Sequence, residues 1–380
     1  MALARGSSAD EREGVGVQRT GVSLREVARL AGVSSGTASR VLSGSTYPVS
    51  ERTRRKVEEA AQTLDYVTNS AARALVTGRS AIVGAIVHDI TDPYFSGVVR
   101  GLQDEAVADG LVVLVGNDDR DPQTLESYLT MMLSQKPAGV VLVGGQVRDP
   151  AKSLRVFQAV QRLRSQGVPV AAVGRYELDI PHVAVDDAAA AERAVNYLLE
   201  LGHRSIAFIG GPLDSTTVED RHDGYVAALN RAGIPVDDRL IMQAPMSLAG
   251  GSEAAVALVA AGVSFTAVFA TTDEVAFGVV SGLRSRNLSV PGDVSVVGMD
   301  DVPMAAHSDP PLTTVRVPAR RLGAEAWRLL TAVRDGEVAP LVSHVPFELV
   351  VRASTAPLAA RAPSSKHRSG RSVTTAREDG

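Results

Sequence analysis

Residues 22–42 read Val-Ser-Leu-Arg-Glu-Val-Ala-Arg-Leu-Ala-Gly-Val-Ser-Ser-Gly-Thr-Ala-Ser-Arg-Val-Leu, and this stretch decides how the chain begins to fold. Ser23 followed three residues later by Glu26 has the spacing of a capping box, so a helix starts just after Ser23. Leu24, Val27, Ala28 and Ala31 then recur at helical spacing and give that helix one apolar stripe. Gly32 supplies the left-handed backbone that ends it, because glycine alone enters that conformation without a steric penalty. Val33 returns to the core, Ser34 can cap a second helix, and Ala38, Val41 and Leu42 form its buried stripe. Two short helices across a tight turn make a helix-turn-helix. The face left outward is Ser35, Gly36, Ser39, Arg40 and Ser43. Little bulk, several donors and one guanidinium fork are what a helix lying in a DNA major groove needs.

Outward from that pair, Ser50 can cap a third helix whose apolar stripe is Val57, Ala60, Ala61 and Leu64, closing a three-helix core. Arg52, Arg54, Arg55 and Lys56 crowd its start, where the helix dipole disfavours cations and a neighbouring polyanion would relieve them. Residues 21–79 hold nine Lys/Arg against five Asp/Glu, a balance of +4 in a chain of net charge -4, so the rest carries -8. A basic segment on an acidic body is an electrostatic footprint for phosphate.

The run from Val22 to Ser34, then Thr-Ala-Ser-Arg-Val-Leu from Thr37, then Val-Ser-Glu-Arg-Thr-Arg-Arg-Lys-Val from Val49, closely resembles the headpiece of the lac-repressor (LacI-type) family. The likeness runs on through Leu64, Asp65, Tyr66, Val67, Thr68 and Asn69 and from Ala71 to Leu75, where that family has a linker helix. It implies DNA contacts at Ser23, Leu24, Ser34, Ser35, Gly36, Ser39, Arg40, Ser43, Thr53, Asn69, Ala72 and Leu75. Leu75 would then be the wedge that unstacks a minor-groove base step, and Ala72 would face the dimer mate. One departure is local: where relatives often carry large side chains, this chain has Ser35 and Gly36, which shifts readout towards Ser39, Arg40 and residues 43–48.

After Arg79 the texture changes to apolar runs alternating with amphipathic segments. Residues 81–87, 111–115, 139–143, 168–173, 205–209, 266–270 and 294–298 read as buried parallel strands, each followed by a helical segment. Repeated βαβ units imply doubly wound sheets with right-handed crossovers, and roughly 270 residues suit two lobes better than one. The expected fold is therefore an all-α helix-turn-helix headpiece joined to an α/β core of two doubly wound parallel-sheet lobes. The resemblance makes that core similar to periplasmic binding proteins, with the ligand between lobes. The expected organisation is a disordered tail at 1–20, the DNA-binding domain at 21–67, a linker helix at 68–79, the effector-binding and dimerisation domain at 80–355 and a disordered basic tail at 356–380.

Ligands of open α/β sheets bind beyond the carboxyl ends of strands, where this chain is polar. The candidates there are Asp92, Tyr94, Phe95, Arg175, Thr217, Arg221, Thr272 and Asp300. The resemblance implies that Arg221 and Asp300 clasp hydroxyls or carboxylates of the ligand while Tyr94 or Phe95 stacks. Thr272 stands where many relatives have asparagine, and Gly174 where some have an acid; both bear on ligand class. Asp273 has a second reading, as a cap of the following helix.

The chain has no cysteine, which removes disulfides and thiolate zinc sites. Residues 1–20 mix arginines with acids and lack the apolar run of a secretion signal, and no run approaches the roughly eighteen apolar residues that cross a bilayer. Phosphate-loop, dinucleotide, HExxH and nucleophile-elbow motifs are missing, and seven scattered histidines suggest no metal cluster, so neither cofactor nor catalysis is expected. A secreted binding protein with the same cleft is the main alternative class, and the N-terminus argues against it. The expected function is transcription regulation, most simply repression, in the cytoplasm. The expected partners are near-palindromic operator DNA, a second copy of the chain, and a sugar or sugar derivative as effector.

Overall fold

Helix α1 (Leu24–Ala31) begins where the capping signal places it: the Glu26 carboxylate accepts from the Ser23 N–H at 2.7 Å and from the Ser23 hydroxyl at 2.8 Å. Those bonds hold the Glu26 pKa below its ordinary value. Gly32 sits at φ +67°, and the Val33 N–H folds back onto the Ala28 carbonyl at 3.0 Å. Helix α2 (Ser35–Leu42) is capped by the Ser34 hydroxyl, which accepts from the Thr37 N–H at 3.1 Å. Helix α3 (Glu51–Thr63) is capped in the same way by Ser50, which accepts from the Thr53 N–H at 3.3 Å. Val27, Ala28, Ala31, Ala38, Val41, Val57, Ala60 and Ala61 interlock as one small core. This computed structural model describes residues 22–42, 47–66 and 80–358, and it divides into two compact units, Met1–Ser80 and Ala81–Gly380.

The larger unit follows the alternating pattern. Its chain order is β1 (Ile82–Val87), α4 (Pro93–Ala108), β2 (Val112–Asn117), α5 (Pro122–Ser134), β3 (Gly139–Val143), α6 (Pro150–Ser165), β4 (Val170–Val173) and β5 (His182–Ala184). Then come α7 (Asp187–Glu200), β6 (Ile206–Gly210), α8 (Thr216–Arg231), β7 (Ile241–Gln243), α9 (Leu248–Ala260), β8 (Ala267–Ala270), α10 (Asp273–Ser285) and β9 (Ser295–Asp300). The unit closes with β10 (Thr313–Arg316), α11 (Ala319–Arg334), β11 (Val342–His344) and β12 (Glu348–Val350).

Two sheets result, ordered β11-β5-β4-β3-β1-β2 and β12-β10-β9-β8-β6-β7. Each is the core of one lobe. The chain passes between lobes before α7, returns with α11 and crosses again between β11 and β12. The seven long apolar runs all become strands, but β5, β7 and β10 to β12 are only three or four residues long and have no run to announce them. Two strands also depart from the expected type. β12 pairs antiparallel with β10, and β2, at a sheet edge, leaves Val112, Leu114 and Val115 exposed.

Candidate functional site

In the smaller unit, the outward face of α2 presents Ser35, Gly36 and Arg40 to solvent, with Ser39 half-buried beside them. The Arg40 guanidinium lies 4.4 Å from the Tyr47 ring centroid, a cation–π contact that restrains a long side chain before any DNA arrives. Ser23 is exposed at the start of α1 and Leu24 is half-buried against the core. Ser34 is committed to its cap. The Thr53 hydroxyl shares a hydrogen bond with the Ser50 hydroxyl at 2.8 Å, so it too serves a helix start. Ser43, Asn69, Ala72 and Leu75 lie outside the described residues.

In the larger unit, the loops at the carboxyl ends of both sheets converge on a cleft whose space, mouth included, is about 600 Å³. Asp92, Tyr94, Phe95, Thr217, Arg221, Thr272 and Asp300 all line it. Each reaches it for a local reason. Asp92 caps α4 by accepting from the Tyr94 N–H at 2.9 Å, with proline at the first helical position. That start turns Tyr94 and Phe95 inward as an edge-to-face pair, 5.1 Å between centroids. Thr217 and Arg221 stand one turn apart on α8 and so share a face. Thr272 caps α10, accepting from the Val275 N–H at 3.2 Å. Asp300 ends β9 at φ +119°, a backbone setting costly for any residue but glycine and typical of sites where function holds the strain.

Arg221 anchors the electrostatics. It is buried, its Nε donates to Asp187 Oδ1 at 2.8 Å, its Nη1 donates to the Thr271 carbonyl, and Asp300 Oδ1 lies 3.7 Å from Nη2. Burial opposes its charge, yet Asp187 and Asp300 outweigh burial and raise its pKa above the ordinary arginine value. Burial also pushes the Asp300, Asp187 and Asp92 carboxyls upward, Asp300 well above the usual range. Asp273 lies behind the wall: it is fully buried and accepts from the Val302 N–H at 2.9 Å and the Thr314 hydroxyl at 2.5 Å. Thr272, and not Asp273, supplies the side-chain cap of α10.

Arg175 does not line the cleft. Its guanidinium is drawn to α8, donating to both Asp220 oxygens at 2.7 and 2.8 Å and to Glu219 at 2.9 Å. Its neighbour Gly174 holds φ +93°, and a Cβ there would come within 2.7 Å of the Gly145 nitrogen. Backbone crowding excludes any side chain at 174, an acid included.

The sequence reading missed Asp187, Arg120, His88, Ser215, Met246 and Leu322, which also line the cleft. Asp187 follows β5, a strand of three residues, and went unread with it. Arg120 was within reach. The second strand run extends to Asn117, so the strand-end rule applied to its true end points at residues 118–120. The His88 ring bridges Asp118 Oδ1 at 2.8 Å and the Gly145 carbonyl at 3.1 Å, and so ties the β1, β2 and β3 loops together beneath the cleft.

Two family models match the chain: bacterial regulatory proteins of the lacI family over residues 23–69 and a periplasmic binding protein-like domain over residues 195–355. The transcriptional repressor CytR of Escherichia coli (strain K12) is 33% identical over 341 residues, 89% of this chain and 97% of that protein. Catabolite control protein A of Priestia megaterium is 33% identical over 338 residues, 88% of this chain and 99% of that protein. Among solved structures, the lac repressor dimer bound to operator and the anti-inducer ONPF matches with a TM-score of 0.78 and 27% identity, covering 88% of this chain and 99% of that one. The CelR–cellobiose complex matches with a TM-score of 0.64 and 31% identity over the same shares of each chain.

Proposed function

Because the chain belongs to the lacI family of bacterial regulatory proteins, we propose that it is a sequence-specific repressor whose operator affinity is set by a sugar or sugar derivative bound between its two lobes. The observation that carries this reading is the Arg221 cluster: a buried guanidinium between Asp187 and Asp300, inside a cleft walled by Tyr94 and Phe95. Fixed charged donors and acceptors beside aromatic rings suit a ligand that has many hydroxyls and one apolar face. The solved relatives with bound cellobiose and ribose support the class.

DNA is engaged by α2 through Ser35, Gly36, Ser39 and Arg40, flanked by Ser23, Leu24, Ser34, Ser43 and Thr53, with Asn69, Ala72 and Leu75 in the connecting segment 68–79. A homodimer presents two such headpieces to a near-palindromic site, since a two-fold protein reads two-fold DNA. Effector binding changes operator affinity through that connecting segment, with a coupling of about 1–3 kcal/mol. Asp92, Tyr94, Phe95, Thr217, Arg221, Thr272 and Asp300 contact the effector. The cleft binds without turnover, and the protein acts in the cytoplasm beside the chromosome. No helix among the described residues is long and apolar enough to cross a membrane.

The test is operator binding by fluorescence anisotropy, with and without a panel of sugars, sugar phosphates, amino acids and nucleobases. One sugar should move operator affinity by about five- to 150-fold. A response confined to amino acids or nucleobases would replace the sugar reading.

A further inference from the structure

The cleft holds two guanidiniums in opposite states. Arg221 has committed Nε to Asp187 and one Nη1 N–H to the Thr271 carbonyl, which fixes its fork in place. Arg120 has not. It projects from the loop after β2, where Asp119 at φ +52° and Arg120 at φ +60° are consecutive non-glycine residues in the left-handed region. Each such residue costs on the order of 1–2 kcal/mol, and adjacent pairs persist where the surroundings hold them for a purpose. The Arg120 N–H donates to Asp118 Oδ1 at 2.9 Å, and that same oxygen meets His88, so the loop is anchored from below. The half-buried guanidinium lines the cleft with its central carbon 6.0 Å from the Phe95 centroid. Among the described residues no carboxylate forms an ion pair with it and no acceptor takes its hydrogen bonds. Partial desolvation lowers its pKa despite Asp92 and Asp89 nearby, as expected of a half-buried cation without a bonded partner. Its donors still reach water at the cleft, and a ligand that supplies fixed acceptors replaces that water with charge-assisted bonds.

We propose that Arg120 is the effector-binding guanidinium of the first lobe, its fork donating to two adjacent neutral oxygens of the effector and so selecting which effectors bind. The proposal rests on the reading that this cleft takes a sugar-like effector. Charge decides which oxygens. Asp92, Asp187 and Asp300 face the cleft against Arg120 and Arg221, three carboxyls to two guanidiniums, and burial already opposes the ionisation of those carboxyls, so an anionic phosphate or carboxylate would meet the same poorly solvated, acid-rich wall. Vicinal hydroxyls, or a hydroxyl beside a carbonyl, match the fork without that penalty.

The experiment is titration calorimetry on the full chain with neutral pentoses, hexoses and disaccharides, each beside its phosphate or uronic acid. Arg120→Met and Arg120→Lys are then titrated with the ligand that binds, and operator affinity without ligand serves as the folding control. A neutral sugar should bind more tightly than its charged derivatives. Arg120→Met should weaken it by roughly ten- to 100-fold, the worth of a charge-assisted bond. Arg120→Lys, which keeps the charge and loses the fork, should recover only part. The proposal fails if Arg120→Met binds within about twofold of the parent, if Lys restores full affinity, or if a phosphate outbinds its neutral parent. If no sugar binds the parent chain, the sugar reading falls and takes this proposal with it. If a sugar binds and Arg120 is indifferent, the sugar reading stands alone.

Discussion

The two units reach their candidate sites by different routes. In the smaller one, the caps and stop that set the helix ends join residues at most five apart: Ser23 with Glu26, Ala28 with Val33, Ser34 with Thr37, Ser50 with Thr53. In the larger one, Asp92, Asp187, Arg221 and Asp300 come from four different strand ends and meet only because both sheets are complete. Local chemistry therefore sets the first site, and tertiary packing sets the second. Damage to one should leave the other standing.

The largest effect that can test this independence is expected from Arg221→Ala. Removing the cation leaves Asp187 and Asp300 buried without their partner, which costs on the order of 3–5 kcal/mol. Denaturant unfolding should show the body transition shifted by that amount. Effector response should vanish while operator binding without effector stays near the parent value. Loss of both activities would break the comparison and show that headpiece function depends on an intact cleft.

A smaller effect probes the other side. Nothing lies within 4 Å of a Cβ added at Gly32, so Gly32→Ala acts only through its φ of +67°. Left-handed backbone costs alanine roughly 1–2 kcal/mol. Operator affinity should fall and the headpiece should melt earlier, with effector binding by the body unchanged. An effect on effector affinity would again deny the separation.

The same contrast explains what was legible in the sequence. Helices α1 to α3 could be read because their caps and stripes are fixed offsets along the chain. The strand-end rule found seven cleft residues because the apolar runs of β1, β6, β8 and β9 mark buried strands without ambiguity. Asp187 escaped because β5 has three residues and takes its strand character from its neighbours β4 and β11, which no local pattern records. Arg120 escaped by two residues of misplaced strand end. Thr272 and Asp273 show a finer limit: both residue types cap helices, and only the arrival of Val302 and Thr314 from later in the chain assigns Asp273 elsewhere.

Arg175 gives the smallest effect and the sharpest discrimination. Its loop follows β4 in the first lobe, while Glu219 and Asp220 belong to α8 of the second, and Arg148 from the β3 loop pairs with Glu219 as well. The lobes are thus joined by a charge network beside the cleft. The Arg175 side chain is 34% exposed, so solvent screens the network and its net worth is about 0.5–1 kcal/mol. Arg175→Met should therefore weaken effector binding only about two- to fivefold, by favouring separated lobes. The deficit should shrink as salt rises, because added ions already weaken the parent's network. A direct effector contact, the role its position after a strand suggested, would behave differently. Its loss would cost tenfold or more, the worth of a charge-assisted bond, and would depend on which sugar is offered. An interlobe tie weakens all ligands by the same factor, so comparing two effectors of different affinity on one variant separates the roles.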